Sequence, residues 1–397
     1  MSILKMYNES RVSLSKYIEY REKLIENIKQ LNNWNLGIYG ESTEGRELYY
    51  LSHKAGKDKP TIMIVAGFHG SEPASIAAAT LLPYSLEYND PITPYYRPDE
   101  VLENLNIVIV PLINPDGFNR YIECYKRNNE PSWKNTCILA RFNANMKDLN
   151  RDWVYLEEKE TRYLHLLINK INPHFISDHH EFLAAKESPP KWAIETEGFM
   201  ATLTDNPYML IRDDLVEVSA EIMNETGYSI EKTTGWKTKY RHFGGAERTA
   251  LPPYVLGSHV PLENIPKLLV ETWGVGLHDY LWDERVNVHL TAMYSILYYA
   301  VKNAEKLLEI KKRDDPPPYD FEGYVIEGEE ADKALNLLQL HGIRIDGNKV
   351  YLRNNKWRII TVMLDEEIEY NKIFQLTWQH NQGFIYDLEN FKFEKRS

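Results

Sequence analysis

The 397-residue chain is 43% hydrophobic and 26% charged, the balance of a folded globular protein whose length suits one large core with something smaller beside it. Its net charge of −12, from 58 acidic against 46 basic side chains, excludes a nucleic-acid backbone or an anionic membrane surface as the main partner and leaves small molecules and peptides. Two cysteines, Cys124 and Cys137, are too few for a disulfide framework or a cysteine-rich metal site, so a reducing compartment is expected, with one Cys124–Cys137 bridge as the alternative.

The opening Met1-Ser-Ile-Leu-Lys-Met-Tyr-Asn-Glu has no long apolar core of the signal-peptide kind, and no apolar run approaches the length of a membrane span. A cytoplasmic location is expected; the oligomeric state is not legible. Residues 11–31 place Tyr17, Ile18, Leu24, Ile25, Ile28 and Leu31 at helical spacing, which predicts a leading amphipathic helix within a segment 1–37. After it, Glu47 to Ser52 is a short strand and Pro60 to Gly67 a continuous apolar run, the mark of a strand buried on both faces.

Similar runs follow at Asn106 to Ile113, His174 to Ser177 and Lys267 to Val270, with helical stretches at Glu72 to Tyr88, Lys159 to Ile171 and Asp213 to Thr226. Strands alternating with helices predict an α/β fold with a doubly wound, mostly parallel sheet over residues 38–310. The segment 311–323 combines a charge run with three prolines and reads as a linker. Beyond it, 324–397 reads as a small α+β domain, with a helix over 330–340 and strands at Lys349 to Leu352 and Trp357 to Met363.

The chemistry lies where these strands end. The first buried strand runs into His69-Gly-Ser-Glu72, the second into Asn114-Pro-Asp-Gly117, the third into Asp178-His-His-Glu181, and the fourth into Glu271. Each alone reads as a cap, a turn or a solvated charge; four together, at the strand ends where open α/β sheets bind ligands, point to a site. A catalytic zinc takes three protein ligands and leaves a position open, and two histidines with a glutamate are one such set. His69 and Glu72 supply two, and the third is His179 or His180, since strand alternation aims only one of them at the metal. His180 is preferred, because Asp178 shares its face and can support it from behind.

With these motifs in order, the chain resembles the zinc metallocarboxypeptidases over residues 38–275. Gly40-Glu-Ser-Thr-Glu-Gly-Arg46 resembles the family's lead-in, and His69-Gly-Ser-Glu72 its first ligand pair. Asp148-Leu-Asn-Arg151 is similar to its substrate clamp, Asp178-His-His180 to its third ligand, and Leu268-Leu-Val-Glu271 to the strand carrying the general base. The resemblance implies one zinc on His69, Glu72 and His180, with Glu271 as the catalytic carboxylate. It also implies Asn150 and Arg151 on a substrate's terminal carboxylate and a basic residue after the Asn-Pro-Asp-Gly turn to stabilise the oxyanion. Arg127 is the choice there, with Lys126 and Arg141 as alternatives.

Two features depart from the digestive branch of that family. There is no arginine between His69 and Glu72, and Tyr254 is only the nearest counterpart of the substrate-covering tyrosine. The expected activity is removal of C-terminal residues from peptides. The alternatives are deacylation of small N-acyl amino acids and a zinc-retaining peptide-binding module without turnover.

Overall fold

A computed structural model describes residues 1–90, 97–131, 136–183, 192–195, 255–312, 316–317, 319–329, 331–353, 356–364 and 392–396. In chain order the described helices are α1 (Ile3–Val12), α2 (Leu14–Asn27), α3 (Pro73–Glu87), α4 (Pro98–Asn104), α5 (Pro115–Arg127) and α6 (Lys159–Ile171). They continue as α7 (Leu256–Leu262), α8 (Trp282–Lys302), α9 (Ala304–Ile310), α10 (Ala331–Leu340) and α11 (Trp357–Leu364). The strands are β1 (Asn35–Glu41), β2 (Glu47–His53), β3 (Thr61–Ala66), β4 (Asn106–Val110), β5 (Phe175–Leu183), β6 (Trp192–Glu195) and β7 (Lys267–Val275). Four more, β8 (Gly323–Glu327), β9 (Ile345–Asp346), β10 (Lys349–Tyr351) and β11 (Lys392–Arg396), lie beyond them.

The main sheet has seven strands in the order β1-β2-β4-β3-β5-β7-β6. The central pairings β4-β3, β3-β5 and β5-β7 are parallel, while β1-β2, β2-β4 and β6-β7 are antiparallel. Five of the seven strands therefore run one way, and the expected α/β fold with a mostly parallel sheet is what the chain adopts. The continuous apolar runs explain the centre: Ile62 to Ala66 in β3 and Ile107 to Val110 in β4 are buried on both faces. One face packs on α2, α3 and α8, and the other on α6 and α7 through Leu164, Ile168, Leu256 and Val260.

From β3 the chain crosses to β4 on one side and then returns past β3 to β5 on the other. That reversal opens a crevice at the carboxyl ends of β3 and β5, where ligands bind in open sheets of this kind.

Three elements differ from expectation. The leading segment is two helices rather than one, because Ser13 is extended and its side chain accepts from Lys16 N, starting α2 afresh. Trp357 to Met363 is helical, not a strand. Its β-branched run suits a strand locally, but seven of the eight residues of α11 are buried, and Tyr319, Ile326 and Leu338 share their apolar cluster; tertiary burial overrides a weak local preference. Cys124 and Cys137, expected as thiols, are joined in a disulfide with Cα atoms 6.0 Å apart. The helix expected over Asp213 to Thr226 lies outside the described residues.

Beyond residue 319, β8 to β11 form a second, antiparallel sheet in the order β11-β8-β10-β9. Its core is continuous with the main body: Tyr324, Ile326, Leu338 and Trp357 cluster with Val154, Tyr155, Val255 and Leu262.

Candidate metal centre and surrounding cleft

Glu72 begins α3 as its N-cap residue, followed by Pro73 at the first helical position, where a missing N–H costs nothing. An N-cap carboxylate would ordinarily accept a backbone N–H of the first turn. Here that acceptor comes from elsewhere: Glu181 Oε2 takes the N–H of Ala74 at 2.8 Å, and Glu181 is held by the buried Arg285 guanidinium at 2.7 and 3.0 Å. The Glu72 carboxylate is thereby released from capping. At 1% exposure it turns inward, with Oε1 2.6 Å from His69 Nδ1 and Oε2 3.0 Å from His180 Nδ1.

The two imidazoles are arranged alike. Each presents Nδ1 to Glu72 and its other nitrogen to an aspartate: His69 Nε2 lies 3.1 Å from Asp148 Oδ1, and His180 Nε2 lies 3.1 Å from Asp178 Oδ1. A carboxylate behind each ring fixes its tautomer and raises the basicity of the nitrogen in front. Asp178 in turn is 3.0 Å from the buried ammonium of Lys267. Burial pushes the Glu72 carboxyl up, but the two imidazoles outweigh it and hold it down at about 2. Burial also opposes charge on His180, yet Asp178 and Glu72 outweigh it and raise that group well above the usual histidine range. These carboxylates are set to hold a positive charge between the rings.

One ligand atom each from His69, Glu72 and His180 lies within 4.8 Å of the others. Three buried donors of the His, His, Glu type, each ring backed by a carboxylate, fit zinc. His179 points to the opposite face of β5, into the core. Its Nε2 is 2.8 Å from Ser177 Oγ and its Nδ1 3.2 Å from His289, and burial pushes it down to about 3.

The other site residues surround this group. Glu271 is the register partner of His180 on the adjoining parallel strand, half-buried at the centre of β7. Asn150 is buried: its Oδ1 accepts the N–H of Leu256 at the start of α7 (3.0 Å), and its Nδ2 is 3.4 Å from His180 Nε2. Arg151 follows in the same short helical turn, donating to Asn150 O at 2.7 Å and acting electrostatically on Asp148. Arg127, by contrast, is exposed in the last turn of α5. The guanidinium that reaches the metal group belongs to Arg141, which holds Asp148 Oδ2 at 2.8 and 2.9 Å and stands 3.4 Å from His69 Nδ1. Burial lowers the Arg141 group and Asp148, Glu72 and Glu271 raise it, with a net rise. Tyr254 lies outside the described residues.

Asp148 makes contacts that the sequence reading did not assign, while Arg141 stood there as one of two alternatives to Arg127. Asp148 was visible as the first residue of the Asp-Leu-Asn-Arg segment, where an acid beside two substrate-type residues is a usable signal.

Two further motifs act as scaffold. Asn114 caps α5 by accepting from Gly117 N at 2.8 Å, while its Nδ2 donates at 3.2 Å to Phe68 O and to Arg141 O, tying the loop before His69 to the arginine. Asp116 accepts from Ser42 Oγ (2.7 Å), Glu44 N (3.0 Å) and Arg46 Nη1 (2.6 Å), so the Gly40 to Arg46 lead-in is a clasp on α5. Gly70 packs so tightly that a Cβ there would run into the backbone of Gly117 and Phe118.

A buried His, His, Glu group at the carboxyl ends of an α/β sheet is a candidate zinc centre. The model of the zinc carboxypeptidase family matches residues 22–213. Carboxypeptidase 2 of Trichophyton tonsurans is 25% identical over 316 residues, covering 74% of this chain and 54% of that protein. Carboxypeptidase B of Astacus astacus is 33% identical over 122 residues, covering 29% of this chain and 36% of the other. The chain thus spans about half the length, or less, of these relatives. Among solved structures, a metallo-carboxypeptidase from Burkholderia cenocepacia shares the fold, with a TM-score of 0.50 at 14% identity, covering 72% of this chain and 70% of that one.

Proposed function

We propose that this protein is a zinc metallocarboxypeptidase that hydrolyses the last peptide bond of a chain with a free C-terminus. What supports the reading is that Arg141 and Asn150 approach the buried His69–Glu72–His180 group and that Glu271 is the register partner of His180.

Zinc bound by His69, Glu72 and His180 would lower the pKa of water and polarise a carbonyl. The chain's own residues do the rest. Glu271, level with His180 in the sheet, takes a proton from the attacking water and returns it to the departing amine. Arg141, already charged and oriented by Asp148, faces the oxygen that gains negative charge, and needs no reorganisation to stabilise it. This gives to Arg141, one of the alternatives, the part for which the resemblance favoured Arg127. Asn150 and Arg151 hold the terminal carboxylate, the planar guanidinium suiting two oxygens at once.

Peptides are the favoured substrates because the clamp needs a carboxylate beside the scissile bond. The Cys124–Cys137 bridge favours an oxidising compartment over the cytoplasmic location expected from composition. The test is incubation of zinc-loaded protein with a mixed peptide library, with released residues identified by mass spectrometry. Single C-terminal residues support the reading. Internal cleavage replaces it with an endopeptidase, and release of nothing replaces it with a binding module.

A further inference from the structure

A second group of ligand-type side chains lies away from the first. His165 is on α6, His259 and Glu263 stand four residues apart on α7 and its C-cap, and His341 follows α10. One ligand atom of each lies within 4.8 Å of the other three. The histidines are 1%, 1% and 0% exposed and the Glu263 side chain 4%.

The polar accounting of this cluster does not close. His341 Nε2 donates to Val154 O at 2.8 Å, which leaves Nδ1 a bare lone pair with no partner among the described residues. Among the described residues neither ring nitrogen of His259 has a hydrogen-bond partner, its Nε2 lying 3.8 Å from Glu263 Oε1. His165 Nε2 is 3.2 Å from that same oxygen, with Nδ1 held by Asn169 at 3.1 Å. Among the described residues three buried ring nitrogens are therefore without a partner, which costs free energy if nothing meets them. Lys356 Nζ reaches Glu263 Oε1 at 3.1 Å and Asn169 Oδ1 at 2.9 Å, and this ammonium gives the carboxylate a partner. It also donates to the His341 backbone carbonyl at 2.7 Å but meets no ring nitrogen of His259 or His341. Burial pushes both of those groups below the usual histidine range.

We propose that His165, His259, Glu263 and His341 bind a divalent transition-metal ion of the zinc class as a structural site. Three nitrogens and one carboxylate oxygen fill a tetrahedral shell and leave no open position, which separates this site from the catalytic one. With bonds of about 2.1 Å, a tetrahedral ion sets its ligands about 3.4 Å apart, so the cluster contracts on binding. The ion joins α6 and α7 of the main body to the turn after α10, and so fastens the small C-terminal sheet to the sheet that carries the active site.

The test counts metal on the full chain, stripped with chelator and titrated with Co²⁺ and with Zn²⁺, by native mass spectrometry. Wild type should take two ions. The His69→Ala, His180→Ala double variant should still take one and lose thermal stability when chelator is added. The His259→Gln, His341→Gln double variant should also take one, at the other site. A His69→Ala, His180→Ala protein that binds no ion overturns the proposal, as does a His259→Gln, His341→Gln protein that retains two. Should that second variant fail to fold, the first still decides, and Glu263→Gln should weaken Co²⁺ binding at least tenfold in the His69→Ala, His180→Ala background. A wild type that binds one ion, lost with His259 and His341, would uphold this site and remove the catalytic one.

Discussion

Asp178 stands behind His180, its Oδ1 3.1 Å from Nε2 and both side chains out of solvent, while Nδ1 of the same ring faces Glu72. The approach is an ion-pair contact more than a well-angled hydrogen bond, and Lys267 holds the other oxygen. Asp178→Asn keeps the shape and removes the charge. It should weaken zinc binding about 10–100-fold, read by competition with a chromogenic chelator, with the far-ultraviolet circular dichroism unchanged. Equal affinity would mean that the aspartate only fills space.

Glu271→Gln should bind zinc stoichiometrically and lose nearly all turnover, since an amide cannot take the water's proton. Elemental analysis and a peptide-release assay on the same preparation check both halves. Activity within a few-fold of wild type would take Glu271 out of the mechanism.

Arg141 and Arg127 give a direct contrast, because only the first touches the metal group. Arg141→Ala should lower kcat on the order of a hundredfold or more, while Arg127→Ala stays within about twofold. The reverse ranking would return the oxyanion role to Arg127.

Arg151→Ala should lower kcat/KM on a peptide acid about tenfold to a hundredfold, the worth of a charged contact of roughly 1.5–3 kcal/mol. It should change little on the corresponding C-terminal amide. The acid-to-amide ratio is the measurement, because general damage lowers both together. An unchanged ratio would exclude recognition of the terminal carboxylate by Arg151.

His174 Nδ1 accepts the N–H of Thr61 at 3.0 Å, and burial pushes this group down from 6.5 to about 4. The folded chain therefore binds fewer protons here than the unfolded chain between those two values. Its contribution to stability is present above about 6.5 and is lost as pH falls through 4. Urea midpoints across pH 4–7 should fall toward acid, and His174→Gln should flatten that slope by up to one proton. An unaltered slope would show that other buried histidines carry it.

Much of the centre could be read from residues alone because parallel strands buried on both faces write themselves as unbroken apolar runs. Ile62 to Ala66 and Ile107 to Val110 are such runs, and each delivers a polar end to the same edge of the sheet. Strand alternation allowed only one of His179 and His180 to face the metal, Asp178 on the same face favoured His180, and the two rings do face opposite sides. What could not be read depended on contacts distant in sequence. Arg141 meets His69 across 72 residues, and α11 is a helix only because its neighbours bury it. The second histidine group joins residues from 165 to 341, with only the His259–Glu263 spacing visible locally.

The contact of Gly70 with Gly117 and Phe118 also bears on the order in which the molecule assembles. The turn that aims His69 is fixed by backbone from beyond β4, so it cannot take its final form until residues 106–118 have docked beside β3. The cost of closing that loop is met by the apolar strands, not by the metal. Metal capture should then be a late event on a preformed cradle, and zinc should slow unfolding far more than it hastens folding.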